Sequence, residues 1–461
     1  MNDFQLIVIG AGPGGYVAAL RATKLGLQVA VVERRETGGT CLNRGCIPTK
    51  TLLHSSQVYQ AIANGEHAGI TAQSVQVDMA AIFAHKRQVS QQLADGIESM
   101  FQKAGITLLR GAAAITAPNT VQVTGPDGEQ TYTADDILIA TGSVPVRPPI
   151  PGLELPGVMT SDELLEGSDH LYRSIVIIGG GVIGVEFATF YNDLGCEVTV
   201  LEGMNRLLPT LDRELGQNLG LILKKRGVKV ITGATVEGVE QAKDGLTVRF
   251  ATKKGTDAVT GEKVLCAIGR RAYWDGLFAG DFIPESDGKR LLVDARYQTS
   301  LPHVYAIGDV SSQVQLAHMA SAQGTAVAEL LCGSGSDVDL NVVPSCIYSR
   351  PEIAVVGLTE QEAKEAGIPA KTGKCVMFGN ARTVSVDGDR CLMKIVARSD
   401  SHEIIGAQLM CEHSTDMISE LAQAIANHLT PAQLLRAMRP HPTFAEAMTD
   451  ALENLAEKLT D

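Results

Sequence analysis

Two stretches of the chain repeat one pattern. Leu6-Ile-Val-Ile is a short apolar run that meets Gly10-Ala-Gly-Pro-Gly-Gly15 and then a stretch rich in small residues with helical character. Ile175-Val-Ile-Ile meets Gly179-Gly-Gly-Val-Ile-Gly184 and a similar stretch. Apolar runs of this length, bounded by glycine turns, predict buried strands, and each repeat then predicts a helix. A second strand-like run follows in both, Leu27 to Glu33 and Cys196 to Glu202, and each ends in an acid at the same offset from the first glycine of its turn. A lone GxGxxG is weak in a chain with 47 glycines. Strand, turn, helix, strand and acid in order, twice, is the fingerprint of two dinucleotide-binding units.

The remaining pattern places these units in a larger frame. Gln88 to Ala104 predicts an exposed helix and Thr120 to Tyr132 a hairpin around Gly125 to Gly128. Ile137 to Gly142 predicts a strand returning to the first unit, and Val264 to Gly269 closes the second in the same way. Val144 to Pro156 is proline-rich and predicts a crossover between them. Val304 to Asp309 predicts a strand ending in Gly-Asp, ahead of a helix from about Leu316 to Leu331. The Gly/Ser-rich stretch Cys332 to Asp337 predicts a linker into a domain that mixes strands such as Met393 to Ala397 with the helix Ser414 to Asn427. The expected architecture is α/β, with two Rossmann-like dinucleotide-binding domains and an α+β C-terminal domain. The expected limits are 1–148 and 149–271 for the two nucleotide domains, 272–340 for a central segment completing the first site, and 341–461 for the last domain.

Composition narrows the classes of partner. The 461 residues suit about three domains at roughly 150 residues each. A net charge of −13 with 4% aromatic residues offers neither the basic footprint nor the stacking rings of a nucleic-acid binder. The apolar stretch Phe4 to Leu20 has Asp3 in place of a basic flank and is interrupted by glycines, which is unlike a signal peptide. No run approaches the roughly 20 apolar residues of a membrane helix. Nine cysteines, seven of them scattered, argue against a secreted disulfide framework, so a cytosolic protein is expected.

The chemistry concentrates in three places. At the glycine turns, missing side chains let the backbone approach a pyrophosphate at a helix N-terminus, and the terminal acid accepts hydrogen bonds from a ribose diol. An acid there repels a 2′-phosphate, so Glu202 favours NAD over NADP. Gly38 to Lys50, containing Cys41 and Cys46, follows Glu33 almost at once, which should put two sulfurs beside the first nucleotide. In a regular helix such residues would have Cα atoms about 8 to 9 Å apart. A disulfide needs about 4.4 to 6.8 Å, so a bridge requires a distorted segment, which Gly45 permits. A close pair in a cytosolic chain points to catalysis or metal binding, and two buried free thiols are the bland alternative. Zinc is disfavoured because no second ligand pair accompanies it. Near the C-terminus, Pro440-His-Pro-Thr-Phe-Ala-Glu446 sets an imidazole before a helix whose first turn carries a carboxylate. Glu446 would orient His441 and raise its basicity as an acid/base for a thiol. Taken alone, that histidine reads as a turn residue.

Together these residues resemble the FAD-containing pyridine-nucleotide disulfide oxidoreductases, and within them the branch acting on dihydrolipoamide, essentially end to end. The resemblance implies FAD at Gly10, Gly12 and Gly15, with Glu33 on the adenosine ribose, Lys50 near the flavin, Ala113, Thr141 and Gly142 lining the site, and Asp309 on the ribitol. Leu316, Ala317 and His318 would point a helix N-terminus at the flavin. NAD would lie at Gly179, Gly181 and Gly184 with Glu202, Val236 and Gly269, and Glu186 would pair with Lys50. Cys41 and Cys46 would form a redox-active disulfide, and His441 and Glu446 would complete the site across a homodimer.

The implied reaction is oxidation of protein-bound dihydrolipoamide. Cys41 would exchange through a mixed disulfide, His441 would take the substrate proton, and electrons would pass through Cys46 and FAD to NAD, with Lys50 helping to keep Cys46 charged. The partner would be a lipoylated protein of a 2-oxoacid dehydrogenase complex or of glycine cleavage. Relatives that use NADP carry arginines where Gly203 and Pro209 stand, those with a second C-terminal redox pair extend beyond Cys411, and soluble transhydrogenases lack Cys41. Arg44 and Arg439 depart from the usual residues, a small apolar side chain and a second histidine. The rival readings are an NADH-dependent reductase of another small disulfide and a non-catalytic flavoprotein subunit.

Overall fold

The structure, a computed structural model, describes residues 2–126, 128–280 and 282–460. Its first sheet is parallel, with strand order Thr107–Arg110, Val29–Glu33, Phe4–Ile9, Gly128–Ile139, and Val304–Ala306 pairs beside the last of these. All five residues of Val29–Glu33 are buried, as a parallel strand covered on both faces must be. Gly128–Ile139 serves two sheets. Its first half pairs antiparallel with Thr120–Gly125, and its second half lies parallel to Phe4–Ile9. The hairpin expected there therefore belongs to a three-stranded meander, whose outer strand Ala112–Ala117 carries no sequence pattern strong enough to predict it.

The second unit repeats the arrangement, with parallel order Lys229–Thr232, Glu197–Glu202, Ser174–Ile178, Lys263–Cys266 and Val158–Met159. An antiparallel sheet of Thr235–Ala242, Gly245–Thr252 and Gly255–Gly261 is inserted before its closing strand. The two connections between the units run side by side, as Ser143–Pro145 pairs antiparallel with Arg270–Ala272. The last domain is a five-stranded antiparallel sheet, from Ser345–Ile347 at one edge to Ala370–Val376 at the other, packed against the helices Ser414–Ala426 and Glu446–Thr460.

The helix expected from Gln88 begins at Met79, where the Asp78 side chain accepts from the Ala81 N–H as an N-cap. It is exposed on one face only. Met79, Phe83, Lys86, Ser90, Ala94, Ile97 and Phe101 form a buried stripe, and the Lys86 ammonium donates to the Leu165 carbonyl. Polar residues inside that stripe obscured its period in the sequence.

A helix from far along the chain closes the first unit. Ala317–Leu331 packs on the helix Pro13–Lys24 so tightly that a Cβ on Gly324 would lie 2.5 Å from the Gly14 carbonyl oxygen. Arg21 bonds Glu329 across this contact, and Gln323 accepts from the Gly308 N–H.

Candidate active site

The glycine turns are built alike. Gly10 and Gly179 have φ of +106° and +111°, and a Cβ on either would come within 2.4 Å of the Ala140 or Ala267 carbonyl oxygen. Only glycine makes these turns without displacing the neighbouring strand. The terminal acids bind back to the turns. Glu33 accepts from the N–H groups of Ala11 and Arg35, each at 2.8 Å, and Glu202 from those of Gly180 and Met204, each at 2.6 Å. Gly12 and Gly181 line the cavity. Gly15 and Gly184 do not line it, because their place is behind the wall, where a Cβ would strike the Gly10 or Gly179 carbonyl at 1.8 or 1.9 Å. Their contribution is close helix–strand packing.

Both turns open into one continuous cavity of about 1510 Å³. It is lined by Glu33, Ala113, Thr141, Gly142, Asp309, Leu316, Ala317 and His318 from the first unit's surroundings. Glu202, Val236 and Gly269 line it from the second unit. Asp309 accepts from the Ser143 hydroxyl at 2.6 Å, and burial pushes its carboxyl above the usual range despite that bond and Arg270 nearby. The helix Ala317–Leu331 presents its N-terminus to the cavity without a side-chain cap, leaving donors free there. A Cβ on Gly181 would meet nothing within 4 Å, so the backbone there faces open space. Two bare-backbone cradles, each with its acid, on a single cavity of this size fit two dinucleotides.

The cysteine pair is held against the first cradle. Gly38 and Gly39 are left-handed, with φ of +94° and +58°, and a Cβ on Gly39 would lie 2.7 Å from the Gly12 Cα. The helix Gly39–Arg44 carries Cys41 and breaks at Gly45, with φ −151° and ψ −113°, before the helix Cys46–Ala63 begins. The backbone between the two cysteines is therefore not a regular helix. Asn43 pins the turn by donating to the carbonyls of Thr37 and Gly39, and Arg44 pairs with Glu36 at 2.7 Å.

Both cysteines are free thiols here, and they are unlike. The hydrogen bond from Cys41 and the charge of Lys50 together outweigh burial and lower Cys46 to about 7, while the same bond and burial push Cys41 far up. Cys46 is thus the more readily ionised of the two, with Cys41 donating the hydrogen bond that favours its charged form. The Lys50 ammonium lies 2.9 Å from both oxygens of the buried Glu186 carboxylate. Burial works against the Lys50 charge, but Glu186 overrides it and the ammonium is held charged.

His441 and Glu446 are joined but stand apart from this cavity. His441 Nδ1 is 2.8 Å from Glu446 Oε1, while Oε2 of the same carboxylate accepts from the Thr443 N–H. The Thr443 N–H and then His441 lower the Glu446 carboxyl. The His441 side chain is 73% exposed and lines no part of the cavity, which takes no residue beyond Tyr348. Arg439 spends its charge on Glu420 at 2.5 Å.

Several neighbours of the site escaped the sequence reading. Arg270 donates to the Ser143 hydroxyl and carbonyl. The Tyr348 ring lies 4.8 Å from the Lys50 ammonium, and its N–H donates to Glu186. No motif marks these residues; only the tertiary structure brings them together.

The chain belongs to the pyridine nucleotide-disulphide oxidoreductases. The family's main domain matches residues 4–324, and its dimerisation domain matches residues 343–452. It is 36% identical over 457 residues to the dihydrolipoyl dehydrogenase of Geobacillus stearothermophilus, covering 98% of this chain and 96% of that one. It is 37% identical over 464 residues to a dihydrolipoyl dehydrogenase of Bacillus subtilis, covering 98% and 97%. Among solved structures it resembles LpdA from Mycobacterium tuberculosis with a TM-score of 0.89 and 26% identity, covering 98% and 99%. FAD and NAD(H) are the cofactors of this family, and among the described residues no helix is long and apolar enough to cross a membrane.

Proposed function

We propose that the chain oxidises protein-bound dihydrolipoamide to lipoamide with reduction of NAD+ to NADH, working as a cytosolic homodimer on a lipoylated partner. The observation that carries this reading is the pair of unlike sulfurs on a cavity shared by both nucleotide cradles. One sulfur is suited to exchange with a dithiol, and the other to face the flavin as a thiolate.

The turnover starts from the bridged Cys41–Cys46 pair. A substrate thiol gives its proton to the partner subunit's His441, and the resulting thiolate attacks the Cys41 sulfur. The Cys41–Cys46 bond breaks, a mixed disulfide forms on Cys41, and Cys46 leaves as a thiolate that Lys50 stabilises. The second substrate thiol attacks the lipoyl sulfur of the mixed disulfide, lipoamide closes, and Cys41 leaves with the bond electrons and is protonated. Bound FAD would supply the path by which that electron pair leaves the dithiol for NAD+. Glu446 fixes the imidazole by holding Nδ1, which leaves Nε2 for the substrate. Glu202 presents its carboxylate to the second ribose and disfavours a 2′-phosphate there. The division at 1–148, 149–271, 272–340 and 341–461 assigns the dithiol to the first segment and the acid/base to the last.

The test is NAD-linked turnover with dihydrolipoamide, set against NADH-linked turnover with glutathione and coenzyme A disulfides. Preference for either disulfide over the lipoyl substrate would overturn the substrate assignment. A pull-down from cell extract should return lipoylated proteins.

A further inference from the structure

The last domain reaches the dithiol through one short segment. Tyr348 and Arg350, just after the edge strand Ser345–Ile347, touch the redox helix Cys46–Ala63 and the second unit's helix Val182–Asp193 at two levels. At the upper level the Tyr348 N–H donates to Glu186 Oε1 at 3.0 Å while its ring lies 4.8 Å from the Lys50 ammonium. At the lower level Arg350 pairs with the buried Asp193 at 2.8 Å and reaches Gln60 at 3.4 Å, and Gln60 itself donates to the Asp193 carbonyl. Three domains meet on this staple, but only its upper level touches an ion pair that faces a reacting sulfur.

We propose that Tyr348 is a positioning residue for the reaction: its ring and backbone hold the Lys50–Glu186 pair where the ammonium stabilises the Cys46 thiolate. Glu186 is buried and fixed, with the Tyr348 N–H on one carboxylate oxygen, whereas the ammonium at the end of the longer Lys50 side chain has only Glu186 and the ring to hold it in place. A cation against an aromatic face keeps its charge without a second carboxylate that would neutralise it. Among the described residues, the charged or titratable groups around the ammonium are Glu186 on the second unit's helix, Cys46 on its own helix with Cys41 bonded to it, and Tyr348 and Cys346 on the edge strand and the residues that follow it. Burial holds both the Tyr348 phenol and the Cys346 thiol above their ordinary values, so across the neutral range the thiolate and Glu186 compete for one cation.

This inference rests on the reading of Cys46 as the flavin-facing thiolate, and the experiment separates the two. Holoenzyme reduced anaerobically with dihydrolipoamide is titrated with pH while the long-wavelength thiolate–flavin absorbance is followed. Tyr348→Phe should titrate like wild type. A ring-fluorinated phenylalanine at the same position, similar in shape but with a weakened ring face, should move the midpoint up by about half a unit, and Tyr348→Leu by about one. Arg350→Gln, on the lower level of the same staple, should lower thermal stability and leave the midpoint in place. Fluorination without a shift, or equal shifts from Tyr348→Leu and Arg350→Gln, would reduce Tyr348 to packing and overturn the proposal. A wild-type enzyme with no long-wavelength band would overturn the Cys46 reading along with it.

Discussion

The two dinucleotide units share a turn, an acid and a sheet order, yet they are finished differently. The first is closed by parts of the chain that lie far away in sequence: Val304–Ala306 pairs beside its sheet, and Ala317–Leu331 lies on its glycine-turn helix with backbone in contact at Gly324 and Gly14. The redox segment packs on its turn at Gly39. The second unit has a strand of its own in the equivalent place, Val158–Met159 beside Lys263–Cys266, and its turn faces the cavity at Gly181. One framework therefore yields a cradle closed by distant segments of the chain and another completed within its own unit. The closing helix makes the difference.

The sharpest way to part the two halves is to cut the relay and leave both cradles intact. Cys46→Ser should lower dihydrolipoamide oxidation by about a thousandfold or more, roughly 4 kcal/mol of lost transition-state stabilisation. NADH oxidation by an artificial dye should survive, because that path runs through the second cradle and the flavin without the dithiol. Equal loss of both activities would mean that the halves are not separable in this way.

The next largest effect concerns the exposed His441. Coexpression of Cys46→Ser with His441→Gln and isolation of the mixed dimer should restore up to half of wild-type activity, because one site then holds both lesions and the other none. A mixed dimer no more active than either parent would refute the shared site.

The closure itself can be opened. Gly324→Val drives a side chain against the Gly14 carbonyl and should cost about 1 to 3 kcal/mol of packing, read as lost flavin retention and a lower Tm. Gly220→Ala, on a helix of the second unit where a Cβ meets only Leu207 at 3.9 Å, should leave both unchanged. Similar behaviour of the two variants would erase the distinction between the units. The smallest effect is coenzyme choice: kcat/KM for NAD should exceed that for NADP by over tenfold, more than about 1.4 kcal/mol. Glu202→Ala should narrow the ratio, and an unchanged ratio would free Glu202 of that role.

What the sequence revealed was local. The glycine turns, Glu33, Glu202, and the spacing of Cys41 and Cys46 carry their chemistry within a few residues, so pattern alone singled them out, and the helix between the cysteines breaks at Gly45, the residue that permits it. The strand Ala112–Ala117 was not legible, because its small residues leave Ile115 as the single buried position, whereas Leu246, Val248 and Phe250 in the middle of the Thr235–Gly261 sheet alternate cleanly and were legible but unread. Tyr348 and Arg270 were hidden for another reason. Each acts through a neighbour more than a hundred positions away, and no spacing records such a meeting. Of the three motif glycines in each unit the first two line the cavity, and the third, Gly15 or Gly184, takes the helix–strand packing role.

The long-range closure of the first unit also sets an order of events during synthesis. All strands of the second unit's parallel sheet, ending with Lys263–Cys266, are synthesised before the first unit's last strand and closing helix. Domains generally fold as units while the chain emerges, at about 5 to 20 residues per second. The unit translated first is therefore the one completed later, and its cradle closes only once all strands of the other unit have been made.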